Sequence, residues 1–425
     1  MSADDSPRST TGPAGRTRLA GVSGGIRFFA TFFLANAGMY AVFQGMQQIL
    51  LPSQIAAIDP DAKVAVYGLL ASMGALAAAI GNPVFGSLSD RTRTRFGRRA
   101  PWLVISSFAA LALLACLGLM RELFWLAAAY LAVMIAMSAF QAAISAVIPD
   151  RVAPNRRGLA SSIAGASMTL GVMYGVNLAP HFLDAPTLGY VAIAALLVVG
   201  ATTLVLFTRD PTAGADAETT PRERRRTGFF SGLRDHDFAW AFWARVTIMT
   251  GHWTISTYQL YTLTDYIGVE NLPGGNAAAA VALLATVKLS LAFVTGLAAG
   301  PISDRIGRRK IFVVIASLGI AAGITVPIFV PTWTGMIVYT AMVGFFYGMF
   351  LAVDQAILTL VLPRAADTAR DLGLLNVATT GPQIAGPFIA ALVISFGGGY
   401  APLFGFAAVL AALSALLILP LRGIR

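Results

Sequence analysis

Four ionisable side chains, Arg245, His252, Lys288 and Asp354, stand inside stretches too apolar to hydrate them, and Asp265 lies near the end of another. A charge in such surroundings is costly, so it pairs with a partner, faces a water-filled cavity or relays protons. At about 1.5 Å per helical residue, Arg245 lies about 12 Å in from a helix start near Asp237, and Asp354 about 13 Å in from Pro363. The two can meet at one depth. A carboxylate facing a guanidinium is a group that can take up and release a proton, and Asp354 with Arg245 is the expected coupling pair. Lys288, deeper by the same count, is the alternative partner, and a permanent structural ion pair is the competing reading.

A second pattern is polar but uncharged. Asn36, Tyr40, Gln44 and Gln47 recur at helical spacing on one face, and the residues 214 positions later are Thr250, Thr254, Tyr258 and Tyr261. Amides suit hydroxyl groups and aromatic rings suit C–H faces, so a cavity lined this way fits a neutral polyol such as a sugar. The expected solute-binding residues are Asn36, Tyr40, Gln44, Gln141, His252, Tyr258 and Asn376, with Tyr174, Asn177 and Gln383 as weaker candidates. The same residue types also join helices to one another inside membranes.

The elements that must position these groups follow from composition. Of 425 residues, 57% are hydrophobic and only 12% charged, and the mean hydropathy is +0.73. That is a polytopic membrane protein of all-α class. Twelve apolar runs are long enough to span a bilayer, six from 28 to 207 and six from 238 to 421. The expected organisation is a cytoplasmic tail (1–25), a six-helix bundle (26–207), a polar linker (208–236), a second bundle (237–422) and a short tail (423–425). All but four of the 30 lysines and arginines fall in the tails, the linker and the even-to-odd loops. Lys63 and Arg121 lie on the other side, and Arg245 and Lys288 within spans. Both termini are therefore expected in the cytoplasm, in a cell (inner) membrane. The net charge of +10 is explained by this loop pattern, and no basic face interleaved with aromatics suggests nucleic acid. A single cysteine excludes an intrachain disulfide, and three scattered histidines offer no metal cluster. Neither a phosphate-binding loop nor a nucleophile–base set is present, so no enzyme activity and no cofactor are expected.

The halves also repeat. "GSLSDR" at Gly86 and "GPISDR" at Gly300 are 214 residues apart, as are "QAAISAVIP" at Gln141 and "QAILTLVLP" at Gln355. Two matches at one offset indicate a parallel duplication, with a solute site between the halves near the bilayer midplane. In the second copy Gly300, Asp304, Arg305, Gly307, Arg308 and Arg309 form the pattern, and in the first Gly86, Asp90, Arg91, Gly97, Arg98 and Arg99. The glycines would let helices approach closely. The aspartates can pair with arginine or with backbone N–H groups, and the arginines face lipid headgroups or helix C-termini. Such a cluster is a candidate cytoplasmic gate.

The second copy resembles the signature loop of the major facilitator superfamily. The first copy, "GNPVFGSLSDRTRTRFGRRAPW" from Gly81, has a longer spacing and resembles the glycoside, pentoside and hexuronide cation symporters, a branch similar to the sucrose transporters. "PDRVAPNRRGLAS" from Pro149 supports the same branch. The resemblance implies a twelve-helix transporter of two six-helix bundles. Sodium-coupled members of the branch carry two aspartates in the second helix and one in the fourth; Ala78, Asn82 and Gln141 stand there, and none is a carboxylate.

The expected function is secondary active transport by alternating access, as proton-coupled symport of a sugar or similar polar solute by a monomer in the bilayer. Proton-linked efflux of a small organic molecule is the alternative, although the fifth helix lacks the Gly-Pro motif typical of efflux antiporters. A membrane sensor that does not transport is the remote one.

Overall fold

The computed structural model describes residues 25–94, 96–208, 229–360 and 368–421. The expected tails at 1–24 and 423–425 and most of the 208–236 linker lie outside the described residues. Twelve long helices dominate, and there is no strand among the described residues. In the first half these are α1 (Ile26–Gly45, continuing in a π-helical turn at Met46–Leu50 and on to Ile58), α2 (Lys63–Arg91), α3 (Ala100–Leu119), α4 (Leu123–Ser145), α5 (Arg157–Leu178) and α6 (Pro186–Phe207). The second half holds α7 (His236–Thr257, continuing through a π-helical turn at Thr262–Gly268), α8 (Ala277–Ile306), α9 (Arg309–Phe329), α10 (Trp333–Leu360), α11 (Thr368–Gly397) and α12 (Tyr400–Ile418). Eleven of the twelve are long and apolar enough to cross a membrane. The exception is α7, the helix that carries Arg245 and His252. Its place between α11 and α12 makes it a span by packing, where its composition alone does not.

The helix ends have local causes. Asp235 accepts the Phe238 N–H at 3.0 Å and starts α7, and Asn276 caps α8 by accepting the Ala279 N–H at 3.0 Å. Gly307 ends α8 at a φ of 67°, in the left-handed region that favours glycine. The Lys310 ammonium donates to the Leu421 carbonyl at 3.0 Å and to that of Leu419, holding the end of α12.

Packing repeats between the halves. In the first, α1 lies against α5 and α6, α3 against α4 and α6, and α2 against α4; adding six to each number gives the contacts of the second. The halves meet where α2 touches α11 and, symmetrically, where α5 touches α8. This is the parallel duplication expected from the two sequence repeats. Within the first half, α5 reaches the α1 backbone through glycine: a Cβ on Gly175 would lie 2.3 Å from the Ala41 carbonyl oxygen. Only a residue without a side chain permits that approach.

The two ends of the molecule differ. At the end opposite the basic loops, the halves are bonded together. Lys63 pairs with Asp265 at 2.7 Å. Tyr258 donates its hydroxyl to the Val64 carbonyl and Tyr261 to that of Pro52, each at 2.8 Å. Tyr67 sits edge-on to both tyrosine rings, with centroids 5.7 Å away. Asn177 of α5 bonds Thr286 of α8 at 2.9 Å. At the basic-loop end, a Cβ on Gly86 or Gly300 would meet nothing within 4 Å, and the same holds for Gly158, Gly165 and Gly381. At Gly86 and Gly300, where close helix approach was expected, there is open space in this arrangement.

Candidate functional site

Arg245 of α7 and Asp354 of α10 are brought together. An Arg245 Nη donates to Asp354 Oδ2, and its Nε donates to the Thr379 hydroxyl of α11 at 3.1 Å. The side chains are 8% and 7% exposed, so the pair is sheltered from water and joins three helices of the second half. Lys288 takes no part in it, and no hydrogen-bond or ion-pair partner of Lys288 is found among the described residues. Instead Lys288 lines a small cavity inside the second half, together with His252, Ser256, Tyr339 and Tyr347. His252 stacks on Tyr347, with centroids 4.6 Å apart and rings 7° from parallel.

The polar stripe of α1 divides. Asn36 is buried and donates to the Ser167 hydroxyl of α5 at 2.7 Å, so it joins α1 to α5. Tyr258 is wholly buried at the closed end. In both cases a polar side chain inside an apolar bundle takes the nearest available partner. Tyr40 is half-buried, and Gln44 accepts a hydrogen bond from Gln48. Asn376 is exposed on α11. Gln141 of α4 accepts from the Asn82 amide of α2 at 3.1 Å, so the two form an amide pair between helices.

In the first loop Arg99 is the centre. It is buried and binds Asp150 at 3.0 Å, Ser89 at 2.8 Å and Asp90, while Arg98 reaches Asp150 at 3.5 Å. Gly97 turns the chain at a φ of 99°. Arg91 is exposed, as are Arg305, Gly307 and Arg308 of the second copy. Arg309 begins α9, and the Asp304 side chain lies outside the described residues. The Arg99 network ties α2 and the loop to the short helix Val147–Arg151 that follows α4.

The sequence matches the family model of the Major Facilitator Superfamily over residues 28–287 and 274–424. The chain belongs to the major facilitator superfamily. It is a membrane transporter and not an enzyme. Similar solved structures include the nucleoside transporter NupG (13% identity, 93% of this chain and 99% of that one, TM-score 0.72). A POT family transporter bound to a thioalcohol-conjugated peptide is also similar (15%, 92% and 95%, TM-score 0.71), as is a D-xylose-proton symporter (13%, 93% and 97%, TM-score 0.67). At these identities the likeness is one of fold. No curated protein sequence matches the chain.

Among facilitators, the two halves rock about a central site, and the sequence reading assigned no role in joining the halves to three residues that do so. Tyr67, Lys63 and Asp265 form the closed end. Lys63 carried a usable signal, being one of only two cations outside the spans on its side. Tyr67 did not, because a tyrosine near a helix end reads first as an interfacial anchor.

Proposed function

We propose that the protein is a proton-coupled symporter of a sugar or similar polar organic solute, in the glycoside, pentoside and hexuronide branch. It would work as a monomer in the cell membrane with both termini in the cytoplasm. The observation that carries the coupling assignment is the buried Arg245–Asp354 pair, held by Thr379 across α7, α10 and α11. Protonation of Asp354 would release Arg245 and loosen that three-helix junction, which links proton uptake to movement of the second half. With the basic loops in the cytoplasm, the bonded end of the halves faces outward. The amide pair of Asn82 and Gln141 favours proton over sodium, since it replaces hard carboxylate ligands with neutral groups.

The test is uptake into proteoliposomes of a panel of labelled sugars and sugar acids, under an imposed proton gradient and then a sodium gradient. Asp354→Asn is expected to abolish accumulation against a gradient while leaving exchange of solute across the membrane. Full proton-driven accumulation by Asp354→Asn would refute the coupling role.

A further inference from the structure

We propose that Lys288 anchors the carboxylate of the transported solute, so that the substrate is an organic monoanion on a hydroxylated frame. The inference deepens the transport reading above and rests on it. Lys288 is the twelfth residue of the 30-residue helix α8, about 16 Å from its start, close to the bilayer midplane. Its four-carbon stem is too short to carry the ammonium to either membrane surface. A lysine at that depth needs a counter-charge, and no partner is found among the described residues.

The neighbouring charges do not supply one. Arg245 and Asp354 satisfy each other, and Asp265 is taken by Lys63, by the Tyr400 hydroxyl at 2.8 Å and by that of Thr264 at 2.8 Å. Among the described residues, Lys288 therefore stands in its helix interior without a counter-charge. Its polar neighbours in the cavity are Ser256, Tyr339 and Tyr347, with His252 stacked on Tyr347, and aliphatic side chains line the rest. An ammonium beside hydroxyls suits a carboxylate with adjacent hydroxyl groups. A neutral sugar would leave the charge unmatched. In this state the cavity has room for about one water molecule, so seating the acid group requires the pocket to widen during the cycle.

The experiment compares glucuronate and gluconate with glucose on the reconstituted full chain, by competition binding and by uptake under a proton gradient. The expected result is that an acid binds and the neutral sugar of the same frame does not compete. Lys288→Gln should weaken acid binding at least tenfold, and Lys288→Arg should retain it within a few-fold. Uptake of a monoanion with one proton carries no net charge, so a potassium–valinomycin potential should not drive it. Each variant is first checked for unchanged elution and thermal midpoint, and Tyr347→Phe gives a second, milder perturbation of the same pocket. Binding of glucose in preference to either acid, acid binding unchanged in Lys288→Gln, or no binding of any of the three would overturn the proposal. Acid uptake that needs Lys288 but proceeds undiminished in Asp354→Asn would keep this inference and refute the coupling assignment. Proton-driven glucose uptake indifferent to Lys288 would do the reverse.

Discussion

Replacing Tyr258 by phenylalanine should open the end of the molecule that is now closed. The ring is fully buried and packs beside Tyr67, so the substitution keeps the shape and removes one hydroxyl. That hydroxyl donates to the Val64 carbonyl of the first half at 2.8 Å and lies 3.3 Å from the Pro387 carbonyl of its own half. Val64 and Pro387 both lie within helices, where a main-chain carbonyl already accepts a helical bond, so no acceptor is left bare and the loss is that of one net hydrogen bond, about 1 kcal/mol. When this end opens, water can satisfy the hydroxyl, so the loss falls on the closed state alone. A shift of about 1 kcal/mol multiplies the open-to-closed ratio roughly fivefold. The assay is a spin-label distance distribution between Asp61→Cys and Val269→Cys, one on each half, in a Cys116→Ala background. Tyr258→Phe should enlarge the longer-distance population about fivefold. Lys63→Met, which removes a part-exposed ion pair worth about 0.5–1 kcal/mol, should do so in a salt-sensitive way. An unchanged distribution in Tyr258→Phe would show that the tyrosine does not hold the halves together.

Two further predictions concern the glycines and the first loop. Gly175→Ala should lower the thermal midpoint in detergent, because its Cβ would enter the α1 backbone; the cost expected of such overpacking is about 1–3 kcal/mol. Gly86→Ala has open space in this state and should leave the midpoint unchanged while slowing transport, if the basic-loop end closes on that glycine during the cycle. Arg99→Met should destabilise the first half, since it removes the partner of Ser89 and leaves Asp150 only the looser Arg98 contact at 3.5 Å; about 2–3 kcal/mol is expected, below the full value for a buried pair because Asp150 is 24% exposed. Thermal unfolding in detergent measures it, and a midpoint equal to that of the parent would refute it.

Much of the architecture was legible because membranes make composition speak. Twelve spans, the duplication at an offset of 214 residues and the common depth of Arg245 and Asp354 all follow from where charge is tolerated. What was not legible depends on which helix faces which. Asn36 and Tyr40 share a stripe, but one turn of helix separates a residue pressed on α5 from one that is half-buried. Lys288 could be placed at a depth but not on a side, and depth alone suggested Asp354 as a partner where the fold supplies a cavity with His252 and Tyr347. The π-helical turns at Met46–Leu50 and Thr262–Gly268 carry no residue signature, yet each lies in the first helix of its half at the end where the halves meet.

The closed end has one more property. Two of its bonds run from tyrosine hydroxyls of the second half to main-chain oxygens of the first, at Val64 and Pro52. A backbone oxygen is the same atom whatever side chain its residue carries. The gripped surface can therefore exchange its side chains, and with them its fit to different solutes, while the latch keeps its hold. The tyrosines that do the gripping have no such freedom. A designer seeking to alter selectivity without disturbing the cycle would start on α1 and α2 and leave the second half's hydroxyls alone.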